Sequence, residues 1–448
     1  MSLLSFLSAC EEAAQTPALI DHHNQWSFAE LEEPVRQAMQ WLLDRENTRN
    51  KGILAWMARP QWQSLCMAYA AIELGIPLLL LHPRASHQEQ RQWMQEQGVA
   101  LYVDAWHHQR LPVCLSAPSA LPVIDETDPL AYLHTSGSNS GQPKLVELSR
   151  QAFLDAAQRS AQVMGWHDDD RWLLCMPPAH VGGFSILIRC LIARKALVLC
   201  DTRPFDAAQV ATMVAEHRVT LTSWVPVMLR KILDNPSPAQ TWRSLRLAII
   251  GGAHPPSDWL SEARSRGIPA RSSYGMTESC AMVTLQGEDD PLSSVGHPLH
   301  SIDLRISGQG IDLRLKDTQP WLQTADRGYL DNQGRLYVLG RADDVIITGG
   351  EKVEPSEVEQ ALLTLPHVRE AYVFGLPDSL WGESITAVLG FNESSQPNSE
   401  WENEIKEQLK RQLADFKIPR RWHNIDSLCD AQDFKRTRQG FKRRLLRS

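Results

Sequence analysis

Apolar positions along the 448-residue chain recur with two periods that alternate. Through "WSFAELEEPVRQAMQWLLD", from Trp26 to Asp44, they return every three to four residues behind Ser27, which predicts a helix capped by that serine. "GILAWMA" is a short continuous apolar run and predicts a buried strand. "QSLCMAYAAIELGI" predicts a helix ending near Gly75, "PLLLL" a strand, and "SHQEQRQWMQEQG" a polar-faced helix before the strand "VALYVDA". The alternation continues through "RWLLCMP", "ALVLCDT", "LTSWVP" and "LRLAIIGG", each followed by a loop rich in Gly, Pro or His and then a helical pattern. Strands alternating with helices imply parallel, doubly wound sheets, whose ligands bind at the loops leaving the carboxyl ends of strands.

After Gln286 the texture changes to short strands and turns, "SIDLRI", "IDLRLK" and "GRLYVLG", which predict a β-rich subdomain. A break falls near Gly340–Asp344. Beyond it, "EPSEVEQALLTLPHV" and "SEWENEIKEQLKRQLADF" predict helices around the strand "EAYVFGL", with the polar linker "FNESSQPNSE" between. The expected fold class is therefore α/β. A large N-terminal domain, residues 1–340, carries doubly wound sheets and the β-rich subdomain, and a small mobile α+β domain spans residues 341–448. Single cores stop growing at roughly 250–300 residues, so more than one domain is in keeping with the length.

Composition removes several classes of function. With 43% hydrophobic and 22% charged residues and a net charge of −8, the chain reads as a globular protein with no nucleic-acid partner. It has no apolar run long enough for a transmembrane helix, so no membrane insertion is expected. "MSLLSFLSAC" ends like a lipobox at Cys10 but lacks a basic n-region and a long apolar core, which leaves the cytoplasm as the expected location. The eight cysteines show no CxxC pair and no metal-ligand spacing, and read as reduced packing thiols. Assembly as a homodimer is left open.

The segment most suggestive of chemistry is "HTSGSNSGQPK", His134 to Lys144, set directly after the strand-like "LAYLH". Gly137 and Gly141 free the backbone, and small side chains let successive N–H groups point into one concavity, a cradle for phosphate. Thr135, Ser136 and Ser138 add hydroxyls, and Lys144 adds a positive charge. The P-loop pattern fails because Gln142 stands where its glycine is required and Leu145 follows the lysine. A nucleophile elbow fails because Asn139 occupies the serine position.

"TSGSNSGQPK" resembles the signature loop of the acyl-adenylate-forming superfamily, whose usual form, TSGSTGxPK, is one residue shorter. Downstream segments are similar to further motifs of that family in order and spacing. "SSYGMTES", Ser272 to Ser279, resembles YGxTE. There the resemblance implies that Tyr274 lies along adenine between Ser273 and Gly275, that Thr277 meets the α-phosphate, and that Glu278, with Thr135, holds Mg²⁺. Gly251 and Gly252 of "AIIGGAHP" are expected in the same nucleotide site. "QTADRGYLDNQGRLYVLGRADDVIITGGEKVEPSEVE" resembles the family's longest motif. It implies that Asp326 grips the ribose hydroxyls, that Arg341 reaches ribose and phosphate, and that Asp343, or Asp344 if the alignment slips, is an interdomain hinge. Gly349 and Gly350 are expected to line the thiol tunnel.

In "DFKRTRQGFKRRLLRS", Lys435 with Arg438 fits the family's KxxR spacing, although Phe434 replaces the usual glycine, and Lys442 is the alternative. The resemblance assigns this lysine to the carboxylate and α-phosphate, where developing negative charge needs a fixed cation. In "MPPAHVGGFSILIRCLI", His180 and Gly183 resemble the element that walls the acyl pocket, with Ala179 in place of an aromatic residue. This stretch, "YGMTES" and "SVGHPL" together are most similar to the o-succinylbenzoate–CoA ligases of menaquinone biosynthesis. The implied activity is a ligase that adenylates a carboxylic acid with ATP and Mg²⁺ and passes the acyl group to coenzyme A. Another acyl-CoA ligase, a carrier-protein adenylating enzyme and a degenerate nucleotide binder are the alternatives.

Overall fold

The computed structural model describes residues 3–45, 52–83, 85–99, 101–104, 124–135, 144–201, 205–308, 310–316, 319–391, 401–428 and 436–447. Two largely parallel sheets form the body of the chain. The first has seven strands in the order Ala270–Ser272, Leu247–Ile250, Leu221–Trp224, Arg171–Leu174, Ala196–Leu199, Pro17–Ile20 and Gln25–Ser27, with only the last pair antiparallel. The second has five, ordered Leu101–Val103, Leu54–Met57, Leu78–Leu81, Pro129–Thr135 and Lys144–Ser149, and again only its last pair is antiparallel. The central strands LAWM, LLLL and ALVL are buried at every position, which is why they read as unbroken apolar runs with no alternation.

The helices between them start where the sequence places caps. Ser27 and Glu30 form a reciprocal capping box on Phe28–Leu43, and Ser86 and Glu89 form another on His87–Glu96. The segment ending at Cys10 is the helix Phe6–Glu12, which contributes to the main core and stacks Phe6 on Tyr69 at 4.7 Å. The six described cysteines are all free and buried, as packing residues should be. No described helix is long and apolar enough to cross a membrane.

The β-rich subdomain is a four-stranded antiparallel meander: Asp303–Ser307, Gly310–Arg314, Leu322–Leu330 and Leu336–Arg341. It ends at Arg341. The next strand, Ile346–Thr348, already belongs to a separate five-stranded sheet with Glu351–Val353, Gly382–Phe391, Val368–Asp378 and Arg421–Asn424, which has its own core around Ile346, Val358, Val373, Ile385 and Trp422. The helix Pro355–Leu363 begins on proline, whose fixed φ suits a first turn.

The stretch "HDDD", His167 to Asp170, does more than turn the chain. His167 and Asp170 close a local turn, but the Asp170 carboxylate is buried and accepts hydrogen bonds from Thr220 Oγ1 at 2.7 Å and from Arg246 Nε at 2.8 Å. The starts of three neighbouring inner strands of the seven-stranded sheet, Arg171–Leu174, Leu221–Trp224 and Leu247–Ile250, are thereby tied together, a link invisible to local pattern.

Candidate active site

The hydroxyl-rich loop joins the antiparallel strands Pro129–Thr135 and Lys144–Ser149, so Thr135 and Lys144 stand directly opposite each other at its base. Thr135 Oγ1 donates to the Lys144 carbonyl at 3.2 Å. Ser136, Gly137, Ser138 and Gly141 lie outside the described residues. Lys144 Nζ is 3.7 Å from Glu278 Oε1, with two-thirds of the lysine side chain exposed. An open pair of this kind contributes little to stability and leaves both charges available to a ligand. Glu278 also offers the hard oxygen donor that Mg²⁺ takes, and the Thr135 hydroxyl, across the strand pair from Lys144, is a second oxygen of the same kind, so the donor chemistry fits that ion.

A second constellation forms where the parallel sheet meets the meander. Gly251 and Gly252 follow the strand Leu247–Ile250, and Ser273 follows Ala270–Ser272, so all three occupy carboxyl ends of adjacent strands. Tyr274 is buried and its hydroxyl donates to Asp326 Oδ2 at 2.6 Å. Burial, reinforced by the Asp326 charge, raises the Tyr274 phenol well above its ordinary range and keeps it a donor at neutral pH. Asp326 and Arg341 are cross-strand partners in the meander, with Nη1 3.6 Å from Oδ1, and Arg341 Nε donates to Asp343 at 2.9 Å. One tyrosine therefore orients a carboxylate whose other oxygen faces a guanidinium, an arrangement suited to a vicinal diol beside a phosphate.

The turn between the two constellations depends on Gly275. A Cβ there would lie 1.5 Å from the Ala281 carbonyl oxygen, because the chain doubles back through Cys280 and Ala281, both at positive φ. Gly275→Ala is expected to destabilise the protein by about 3 kcal/mol or more, a backbone clash that cannot relax through a side chain, and urea unfolding measures it. Gly183 is held by a similar approach, 2.3 Å from its virtual Cβ to the Pro177 carbonyl oxygen.

His180 is exposed at the N-cap of Val181–Ala193, with its ring 5.0 Å from that of His82. His254 follows the glycine pair, and burial lowers it from 6.5 to about 4. A histidine depressed in the folded state favours folding above its unfolded pKa, and that contribution disappears as pH falls from 6.5 towards 4. The span corresponds to about 3 kcal/mol at most. Unfolding free energies at pH 7 and pH 4.5 should differ less in His254→Asn than in the parent.

Gly349 and Gly350 form the turn of the hairpin Ile346–Thr348/Glu351–Val353, at φ +60° and +86°, where residues with side chains are strained. Gly349 N donates to the Trp381 carbonyl at 2.8 Å, and a Cβ on Gly349 would lie 2.9 Å from the Trp381 ring, both contacts within the small domain. Lys435 lies outside the described residues. Lys442 sits on the helix Arg438–Arg447 and approaches Glu383 Oε1 at 3.6 Å. Arg438 donates to Asp344 at 2.7 Å and to Glu359 at 2.6 Å. Asp343 is thus bound to the last arginine of the meander and Asp344 to the C-terminal helix, so the two hinge candidates have partners on opposite sides of the break.

Sequence reading missed Arg189. It lies within the apolar run "ILIRCLI" of the Val181–Ala193 helix, 5% exposed, with no hydrogen-bond partner for Nε or Nη2. The signal was available: one cation within a helix apolar on every side has no solvent face.

Residues 6–313 match the family model of the AMP-binding enzyme, and residues 357–435 match that of the AMP-binding enzyme C-terminal domain. The chain belongs to the AMP-binding enzyme family. Among its relatives, the 2-succinylbenzoate–CoA ligase of Bacillus pumilus is 31% identical, with 92% of this chain and 91% of that protein covered. The 2-succinylbenzoate–CoA ligase of Bacillus subtilis is 30% identical over 93% of both. The structure is similar to that of o-succinylbenzoate CoA synthetase from Bacillus subtilis in complex with the acyl-adenylate intermediate OSB-AMP, with a TM-score of 0.82, 28% identity, and 98% and 97% of the two chains covered. It is equally similar, at 0.82 and 27% identity over 98% of each chain, to that enzyme in complex with ATP and magnesium ion.

Proposed function

We propose that the protein activates 2-succinylbenzoate with ATP and transfers the acyl group to coenzyme A, a ligase reaction of menaquinone biosynthesis. The observation that carries this reading is the pairing of Lys144 with Glu278 and of Tyr274 and Arg341 with Asp326, with Tyr274 and Glu278 on one short turn, in a chain that matches 2-succinylbenzoate–CoA ligases over nine-tenths of its length. In the first half-reaction a carboxylate oxygen attacks the α-phosphorus and the bond to pyrophosphate breaks. Asp326 and Arg341 hold the ribose, and Gly251, Gly252 and Tyr274 form the adenine slot. Lys144 and Thr277 take phosphate oxygens, and Glu278 would hold a Mg²⁺ ion that, when bound, would offset phosphate charge. Lys435 supplies the cation at the attacking carboxylate.

In the second half-reaction the coenzyme A thiol attacks the acyl carbonyl and AMP leaves. Rotation about Asp343 brings the Gly349–Gly350 turn to the site in place of Lys435, with residues 341–448 moving as the small domain. Support for a boundary there comes from the sheet topology and from the opposed partners of Asp343 and Asp344. His180 and Gly183 wall the acyl pocket. The buried, unpaired Arg189 suits an acid that keeps one carboxylate free after the other is activated. Arg189→Met is expected to raise the KM for 2-succinylbenzoate about 10-fold or more while leaving that for ATP near its parent value. Reduced cysteines accord with a cytoplasmic location.

The test is pyrophosphate release with ATP and Mg²⁺ over a panel of acids: 2-succinylbenzoate, benzoates, fatty acids and amino acids. Release that is strongest with 2-succinylbenzoate supports the reading. A clear preference for another acid keeps the chemistry and discards the substrate.

A further inference from the structure

The helix Pro355–Leu363 of the small domain is docked on the large one. Glu354, the residue before it, forms an ion pair with Arg327 of the meander strand Leu322–Leu330. Ser356 Oγ donates to the Leu339 carbonyl of Leu336–Arg341 at 2.6 Å. At the far end of the helix, Leu363 packs against the core that includes Trp224 and Trp259 as well as against the small domain's own core. All three contacts cross the break at Gly340–Asp344.

Gly340 makes room for the first two. Arg327 pairs with Gly340 in the meander's register, one step along from Asp326 and Arg341. A Cβ on Gly340 would lie 3.2 Å from Ser356 Oγ and 3.5 Å from Glu354 Oε2, so its bare backbone is the notch that receives both side chains. The ion pair therefore stands one residue from the carboxylate and guanidinium assigned to the ribose.

This contact holds without locking. The Arg327 and Glu354 side chains are 17% and 24% exposed, which makes the pair stronger than one in open solvent. Glu354 Oε2, however, is buried with no hydrogen-bond partner among the described residues, and the side chain makes no cap bond to its own helix. A half-satisfied carboxylate gives back part of the gain, because its second oxygen is solvated only on release. That balance suits a contact opened in every turnover. The arrangement it holds is also not the one that serves the thiol: the Gly349–Gly350 turn is exposed, and a Cβ on Gly350 would meet no described atom within 4 Å.

We propose that Arg327 and Glu354 are positioning residues for the first half-reaction: their pairing keeps the small domain docked on the meander while the acid is adenylated, and its release is part of the rotation that admits coenzyme A. This rests on the two-step reading above and names the contact that opens between the steps.

The test compares the parent enzyme, Arg327→Met, Glu354→Gln and the double variant in two single-turnover assays. One follows pyrophosphate release from 2-succinylbenzoate and ATP without coenzyme A; the other follows thioester formation from supplied acyl-adenylate and coenzyme A. Each single variant is expected to lower the ratio of the first rate to the second by about 3- to 10-fold, the population shift that follows loss of a partly buried ion pair. The double variant should lose no more than the larger single effect, because both side chains act through one contact. Ser356→Ala, which removes the adjoining hydrogen bond and no charge, should move the ratio the same way by a smaller factor. The KM for ATP should stay within about twofold throughout. A merely structural role would slow both steps alike; that result, an unchanged ratio or additive losses in the double variant overturns the proposal. A parent enzyme that forms no acyl-adenylate with any acid of the panel overturns the two-step reading, and the docking proposal falls with it. If the parent performs both steps on a different acid, the same ratio measured with that acid decides.

Discussion

Glu278→Ala is expected to slow acid-dependent pyrophosphate release by about 10²- to 10³-fold, the loss typical of removing one fixed electrostatic group from a charge-developing site. The carboxylate is only partly exposed and stands 3.7 Å from Lys144, so its removal deletes the one acidic oxygen donor described beside the loop's lysine. Raising Mg²⁺ should recover part of the rate by mass action, because the phosphates keep their own affinity for the ion. Glu278→Gln should recover little, since an amide keeps the shape and loses the charge. Pyrophosphate release titrated against Mg²⁺ reads both effects. A variant at full rate in low Mg²⁺ would remove Glu278 from the metal site.

Lys435→Ala should cost the first half-reaction about as much, 10²- to 10³-fold, and leave the second nearly intact. The separation follows from the chemistry: the attack on phosphorus gathers negative charge between carboxylate and phosphate, whereas thiol attack on a preformed acyl-adenylate does not. Supplying synthetic acyl-adenylate and coenzyme A isolates the second step. Lys442→Ala should stay within about threefold in both steps, because that side chain is directed to Glu383 inside the small domain. A large loss in Lys442→Ala, with Lys435→Ala unaffected, would exchange the two assignments.

Much of this architecture was readable before the fold was known, for identifiable reasons. Continuous apolar runs such as "LLLL" occur where both faces of a strand are covered, and capping serines announce helix starts within one residue. Asp326, Arg341, Glu278 and Lys144 could be nominated from sequence because their motifs are local, although the contacts of these residues, such as that of Tyr274 with Asp326 across 52 positions, are not. What stayed hidden depends on tertiary burial. Arg159 lies on an otherwise ordinary amphipathic helix and Asp170 in a turn of three acids, and neither spacing distinguishes a buried charge from a solvated one. His82 and His180 meet because the strands Leu78–Leu81 and Arg171–Leu174 end near each other in different sheets, a neighbourhood that no period encodes.

The central claim is a two-step ligase acting on 2-succinylbenzoate, and a staged single-turnover experiment tests it directly. Enzyme in excess is mixed with 2-succinylbenzoate, ATP and Mg²⁺, and the products are identified by mass spectrometry before and after coenzyme A is added. The account predicts enzyme-bound acyl-adenylate with one pyrophosphate per turnover, then its conversion to the coenzyme A thioester with release of AMP. Absence of the adenylate from enzyme that still binds ATP, or an adenylate that coenzyme A does not consume, would contradict it.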